Sequence, residues 1–235
     1  MSDDFDQAWL DGISDVRGYA DSDLPRFQNI YDRTGGRRQY VLAEGEPLQV
    51  MPFLQPEEQP DIAFIAPAFH EFRRAPLQFR ESLVGVSLQG PLRALTGRQR
   101  VISHSHPLKV AEKFVRPGWI AFFSEEDTSD PETLARFITS LRAVAVLTRG
   151  YNGATLFDSD GSETHWDALL ANSIDPTGAG DVFAAAFMYR LAETESLESA
   201  MQFGLAAGSL AVEGPGLTGV PTRQAIEERI DQEDW

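Results

Sequence analysis

Four short apolar runs constrain this chain more than anything else in it: residues 62–66 (IAFIA), 83–88 (LVGVSL), 119–123 (WIAFF) and 144–148 (VAVLT). None alternates apolar and polar residues as a half-exposed strand must. Each is therefore expected to be a strand buried on both faces, which happens when a parallel sheet is covered by helices on either side. Helix-compatible patterning lies between some of the runs. The clearest case is 131–142, which follows the cap-like Asp130. Residues 153–157 and 164–166 flank the turn-rich Asp158-Ser-Asp-Gly-Ser and read as an antiparallel hairpin. The last third reads as helical. Residues 179–192 are apolar around most of the circumference, 197–212 are similar and stop at Glu213-Gly-Pro-Gly, and 222–230 begin at Thr222, a capping residue.

Upstream of residue 61 the patterning is weaker. Residues 1–26 form an acidic arm with one apolar group (Ala8, Trp9, Leu10, Ile13). Residues 27–31 and 39–42 read as a hairpin around Thr34-Gly35-Gly36, and 47–60, rich in Pro, Glu and Gln, as a surface connection. The expected organisation is thus an arm (1–26), a small β region (27–60) and an α/β core (61–235).

Composition excludes several classes. Apolar residues at 42% and charged residues at 24% are ordinary for a globular chain and rule out a disordered one. Asp and Glu outnumber Lys and Arg by 36 to 20, giving a net charge of −16. Such a chain repels nucleic-acid backbones and anionic lipid, so any phosphate site must be local. With no cysteine, disulfides, thiol nucleophiles and thiolate metal sites are excluded. No apolar run approaches the roughly 20 residues of a membrane span, and the acidic start is unlike a secretory leader. The expected location is the cytoplasm.

Chemistry concentrates in Asp175-Pro-Thr-Gly-Ala-Gly-Asp181 and the apolar helix that follows it. Gly178, Ala179 and Gly180 have little or no side chain, so their amides can approach a ligand closely. A helix N-terminus with orphan N–H donors favours an anion there. Asp181 falls in the first turn beside that anion site. A carboxylate in such a place suits proton abstraction from an attacking hydroxyl while the amides hold charge on a transferred phosphoryl group. The plainer alternative is a glycine turn with a capping aspartate. His104-Ser-His106 places two imidazoles on one side of an extended segment, but no third metal ligand is evident nearby.

The Asp175–Asp181 stretch resembles the C-terminal signature of the ribokinase-like, PfkB-type carbohydrate kinases. The resemblance implies a three-layer α/β/α fold with a mostly parallel central sheet, helices on both faces and a small N-terminal β lid. It implies transfer of the ATP γ-phosphate, with Mg²⁺, to a hydroxyl of a small sugar, polyol, inositol or nucleoside. Asp181 would be the base and Gly178, Ala179 and Gly180 the anion hole. Leu147-Thr148-Arg149-Gly150-Tyr-Asn-Gly153 is similar to the strand and turn bordering the nucleotide, which marks Thr148, Gly150 and Gly153. Residues 208–221 resemble the adenine-side helix and loop, which marks Gly208.

Ser124-Glu-Glu-Asp127 stands where the family has an Asn-x-x-Glu motif near the magnesium–phosphate group. By resemblance Ser124 and Asp127 are nucleotide contacts, and Glu126 and Asp127 magnesium ligands. Asp175 and Thr177 would hold a monovalent cation such as K⁺, with carbonyls near Ala211, Gly214 and Gly216; Thr177 would also contact the nucleotide. Phe27-Gln-Asn-Ile-Tyr31 with Gly36-Arg37-Arg38-Gln39, and Gln89-Gly90-Pro-Leu-Arg93, resemble the lid and a strand end of the myo-inositol-kinase-like branch. The resemblance starts near Arg26. The family's N-terminal portion, with its first strand, acceptor-contacting Asp and Gly-Gly motif, has no counterpart here, and Gly35-Gly36 reads as a hairpin turn instead. Two functional readings follow: a kinase, or a nucleotide-binding relative without turnover. The sheet edge left open invites pairing with a second copy.

Overall fold

A computed structural model describes residues 25–31, 37–45, 47, 59–233 and 235. The acidic arm as far as residue 24, the 34–36 turn and most of the 47–60 connection lie outside the described residues. The N-terminal hairpin is present as β1 (Arg26–Tyr31) paired antiparallel with β2 (Arg37–Ala43).

All four apolar runs are strands: β3 (Ile62–Ile65), β4 (Leu83–Ser87), β7 (Ile120–Ser124) and β8 (Val144–Thr148). With the hairpin β9 (Ala154–Phe157) and β10 (Glu163–Trp166) they build one six-stranded sheet, ordered β10-β9-β8-β7-β4-β3. The four apolar strands run parallel, and β9 and β10 add an antiparallel edge. The short ribbon β5 (Arg93–Leu95) and β6 (Val101–Ser103) stands apart from the sheet.

Two-sided burial explains the unbroken apolar runs. Successive side chains on a strand point to opposite faces. On one face Val84, Val86, Ala121, Phe123, Ala145 and Leu147 share a core with α1 (Pro107–Phe114) and α2 (Pro131–Ser140). On the other, Ile120, Phe122 and Val146 pack under α3 (Ala179–Thr194) and α4 (Leu197–Ala211). Helix α5 (Arg223–Ile230) closes over α4 through Ile226. Side-chain caps start α2, α4 and α5: Asp130 accepts from the Thr133 N–H, Ser196 from Ser199 and Thr222 from Ala225.

Three features differ from the sequence reading. Helix α1 and the β5–β6 ribbon were not foreseen, because elements of eight and three residues are too short to show a period. His104-Ser-His106 is not an extended segment: His106 immediately precedes α1, and its N–H donates to His104 Nδ1 at 3.0 Å. Helix α3 is not enclosed all round, since Ala185 and Tyr189 are exposed on its outer face. Among the described residues no helix is long and apolar enough to cross a membrane.

Phe187 anchors the α3 layer. It is fully buried, with its ring centroid 5.3 Å from Phe122 and 6.3 Å from Phe183. Phe187→Ala is expected to lower stability by about 3–5 kcal/mol, read from the urea midpoint at unchanged slope.

Candidate active site

Because β4, β7 and β8 are parallel, their carboxyl ends open along one edge of the sheet, the usual place for ligands in open α/β sheets. Residues 88–93, 124–127 and 148–153 gather there. Ser124 and Thr148 are direct partners at the ends of β7 and β8. Ser124 and Asp127 form a reciprocal cap: Ser124 Oγ accepts from the Glu126 N–H at 3.2 Å, and Asp127 Oδ2 accepts from the Ser124 N–H at 2.7 Å. This fixes the acidic turn on the strand end.

Arg149 ties that turn to its neighbours. Its guanidinium lies 2.8 Å from Glu132 and 3.7 Å from Glu125, and Nε donates to Thr155 Oγ1. The hydrogen bond from Arg149 holds the Glu132 carboxyl below its ordinary range. Gly150 and Gly153 both take positive φ, at 55° and 86°. Gly153 is buried, and a β-carbon there would overlap the Trp166 carbonyl oxygen. Its glycine identity answers to packing against the 166–168 backbone.

The signature loop reaches α3 through Gly178, which precedes the helix at φ 83°, a left-handed conformation that disfavours side chains. Asp175 stitches this loop to the next one. Its Oδ1 accepts from the Thr177 N–H at 2.9 Å and its Oδ2 from the Gly216 N–H at 3.1 Å. These amides, Thr177 first, hold its carboxyl below the usual aspartate range. The Ala211 and Gly214 carbonyls converge on Gly219. Gly208 of α4 sits beside the first residue of α3, where a β-carbon would lie 3.7 Å from the Ala179 carbonyl oxygen. Added β-carbons at Gly178 or Gly180 would meet nothing within 4 Å. Open space therefore lies over the first turn of α3, at the positive end of its dipole, although the Ala179 N–H donates to the Pro176 carbonyl at 3.3 Å.

Asp181 stands in that turn. It is exposed, yet desolvation pushes its carboxyl above the ordinary aspartate range, while the Arg93 guanidinium pulls it back. The two observations agree if the carboxyl is recessed: water reaches it from one side and protein surrounds the rest. Of two hollows among the described residues, only the second is lined by Asp181. One, of about 280 Å³, is lined by Gln39 of β2, Arg93, Ser103, Glu126 and Asp127. The other, about 430 Å³ and mainly apolar, runs from Asp181 along the outer face of α3 to Tyr189 and is walled by Phe203 and Ile226. Among the described residues no three His, Asp or Glu side chains form a metal cluster. Sequence reading assigned no role to Arg93 or Arg149, although both lie inside motifs singled out above. Charge pairing across elements leaves no local pattern.

A model of the pfkB family of carbohydrate kinases matches residues 93–223, more than half of the chain. The chain is similar to the 5-dehydro-2-deoxygluconokinase of Clostridium beijerinckii, with 30% identity over 111 residues, 47% of this chain and 33% of that protein. It thus spans about a third of the length of such curated relatives. Among solved structures it resembles a Thermotoga maritima ribokinase (TM-score 0.63, 19% identity, 88% of this chain and 69% of that one). It also resembles an Arabidopsis thaliana ribokinase complexed with ribose and ATP (TM-score 0.58, 17% identity, 88% and 69%). The chain belongs to the pfkB family of carbohydrate kinases, and its fold is the ribokinase-like α/β fold.

Gly153→Ala is expected to cost about 2–4 kcal/mol, combining a backbone clash with a disfavoured φ. Thermal unfolding checks this, and Gly180→Ala, with open space around it, is expected to stay within about 1 kcal/mol of the native protein.

Proposed function

We propose that this protein is an ATP-dependent kinase that phosphorylates a hydroxyl of a small sugar, polyol, inositol or nucleoside. The observation that carries this reading is the recessed Asp181 carboxyl in the first turn of α3, beside the open backbone of Gly178, Ala179 and Gly180. The γ-phosphate of ATP would lie against the Gly178 and Gly180 N–H groups, which match the charge on its oxygens as transfer proceeds, and the Ala179 N–H would join them on leaving the Pro176 carbonyl. The acceptor enters the 280 Å³ hollow, where Gln39, Arg93 and Ser103 supply donors for its hydroxyl groups. Asp181 takes the proton of the attacking hydroxyl. That oxygen bonds to the γ-phosphorus as the bond to the bridging oxygen breaks, and ADP leaves.

Thr148, Gly150, Thr177 and Gly208 border the nucleotide, and Gly153 shapes the turn that carries two of them. Glu126 and Asp127 suit a magnesium ion held partly through water and phosphate oxygens, since two carboxylates on a strand-end turn are the usual protein share of such a site. Bound there, the ion would neutralise phosphate charge. A monovalent cation near Asp175 and Thr177 belongs to the same reading, although both Asp175 oxygens accept backbone N–H bonds within the loops.

An ADP-release screen across sugars, inositols and nucleosides tests turnover. Asp181→Asn is expected to lower kcat by about 10²–10⁴-fold while calorimetry with an ATP analogue and Mg²⁺ still shows binding. Because desolvation raises the Asp181 carboxyl, activity is expected to fall on acidification before the ordinary aspartate range is reached. Nucleotide binding without ADP release on any acceptor would favour a relative that has lost turnover, and activity that survives Asp181→Asn would remove the base assignment.

A further inference from the structure

Charge is laid out unevenly along this chain. Residues 70–116 carry nine Lys or Arg against three Glu, in a protein of net charge −16. The only two lysines of the chain, Lys109 and Lys113, both stand exposed on α1, whose Val110, Ala111 and Phe114 face the core. The loop that precedes β4 brings two arginines to the same place. Its Ala75 N–H donates to the Lys113 carbonyl at 3.2 Å, which sets the exposed Arg73 and Arg74 beside the end of that helix. Among the described residues none of these four cations has an ion pair or a side-chain hydrogen bond. Arg136, Arg149, Arg190, Arg223 and Arg229 are instead each bridged to a glutamate. Glu71, on the same loop, is held by the Ala68 and Phe69 N–H groups at 2.9 and 2.7 Å, and Glu112 lies between the two lysines in sequence.

This basic face begins where the acidic arm joins the fold. Strand β1 opens at Arg26, and the next ring, Phe27, meets Phe69 edge-on at 6.2 Å and carries the Arg93 guanidinium carbon 4.9 Å from its centroid. Phe69 is almost wholly buried and stacks on His70 at 3.8 Å. From Phe69 the chain runs to Ala75 and the Lys113 carbonyl, a path of about 20 Å at most. The arm, residues 1–24, carries seven Asp, and Arg17 is its only cation. We propose that the arm lies along the face formed by Arg73, Arg74, Lys109 and Lys113 of its own chain. Runs of one charge often serve as interaction tails, and here the complementary charge stands beside the point of attachment. Single exposed ion pairs contribute little. Several on one tether act together, because attachment at residue 25 keeps the arm at an effective concentration on the order of millimolar. Reach is ample: 24 residues span up to about 80 Å, and α1 is about 12 Å long. The arm lies outside the residues matched by the pfkB family model, and the proposal does not rest on the kinase reading.

The test uses the full chain and a zero-length carbodiimide, which couples a carboxylate to an amine only where the two touch. Because the chain has no other lysine, every lysine product starts at Lys109 or Lys113. At low salt the expected product joins one of these lysines to an arm aspartate such as Asp3, Asp6 or Asp11 within a single chain, identified by peptide mass spectrometry on the monomer band. Its yield is expected to fall about threefold or more in NaCl at about 0.5 M, and likewise in Arg73→Gln/Arg74→Gln, which keeps both lysines. Tryptic cleavage after Arg17 gives a second reading. It is expected to be faster in the double variant than in the native chain at low salt, with the two rates converging at high salt. Far-UV circular dichroism checks that the variant folds, and the salt comparison on the native chain stands without it. Lysine products confined to Glu71 or Glu112 overturn the proposal, as do arm products found only between chains, which would mark an interface with a second copy. An arm product whose yield ignores both salt and the double variant overturns it too, and so does equal cleavage after Arg17 in the two proteins at low salt.

Discussion

The structure depends on a sheet that is dry on both sides. Each residue of β4, β7 and β8 must face one of two helical layers, and this pins the register of the parallel strands. A slip of one residue would exchange the side chains meant for α1 and α2 with those meant for α3 and α4. With register fixed, the carboxyl ends of the strands are fixed too, and the turns that follow them are delivered to one edge. The helix that starts at Ala179 is held over that edge by Phe183, Phe187 and Met188, so its N-terminus has a defined place rather than a mobile one.

On this scaffold the proposed phosphate site is local, as a strongly acidic chain requires. The donors are backbone N–H groups and the helix dipole, which need no basic residue and survive in a protein of net charge −16. The carboxylates nearby are kept in order by hydrogen bonds: Asp127 to the Ser124 N–H, and Asp175 to the Thr177 and Gly216 N–H groups. Asp181 differs. Desolvation dominates its surroundings and Arg93 opposes it. A positive field on a partly desolvated carboxylate favours its ionised form.

Much of this was legible beforehand, for identifiable reasons. The apolar runs announced buried strands because two-sided burial suppresses alternation. The 175–181 signature announced a small-residue loop opening a helix because glycine, glycine and aspartate at those spacings have few other uses together. The β5–β6 ribbon and α1 stayed hidden because short elements are stabilised by what they pack against rather than by their own pattern. His104 and His106 looked like a pair on a strand because sequence spacing does not reveal where a helix begins.

What the sequence by itself determined is the layered α/β architecture and the loop that opens α3, since both follow from local periodicity and from residues chosen for backbone access. What only the tertiary structure decided is which polar groups meet: Arg93 on the Phe27 ring, Arg149 between Glu125 and Glu132, Asp175 across to the Gly216 N–H. The physical reason is range. Periodicity is written within a few residues of chain, whereas these pairings join positions far apart in sequence, and the folded backbone alone sets the distances over which charges act.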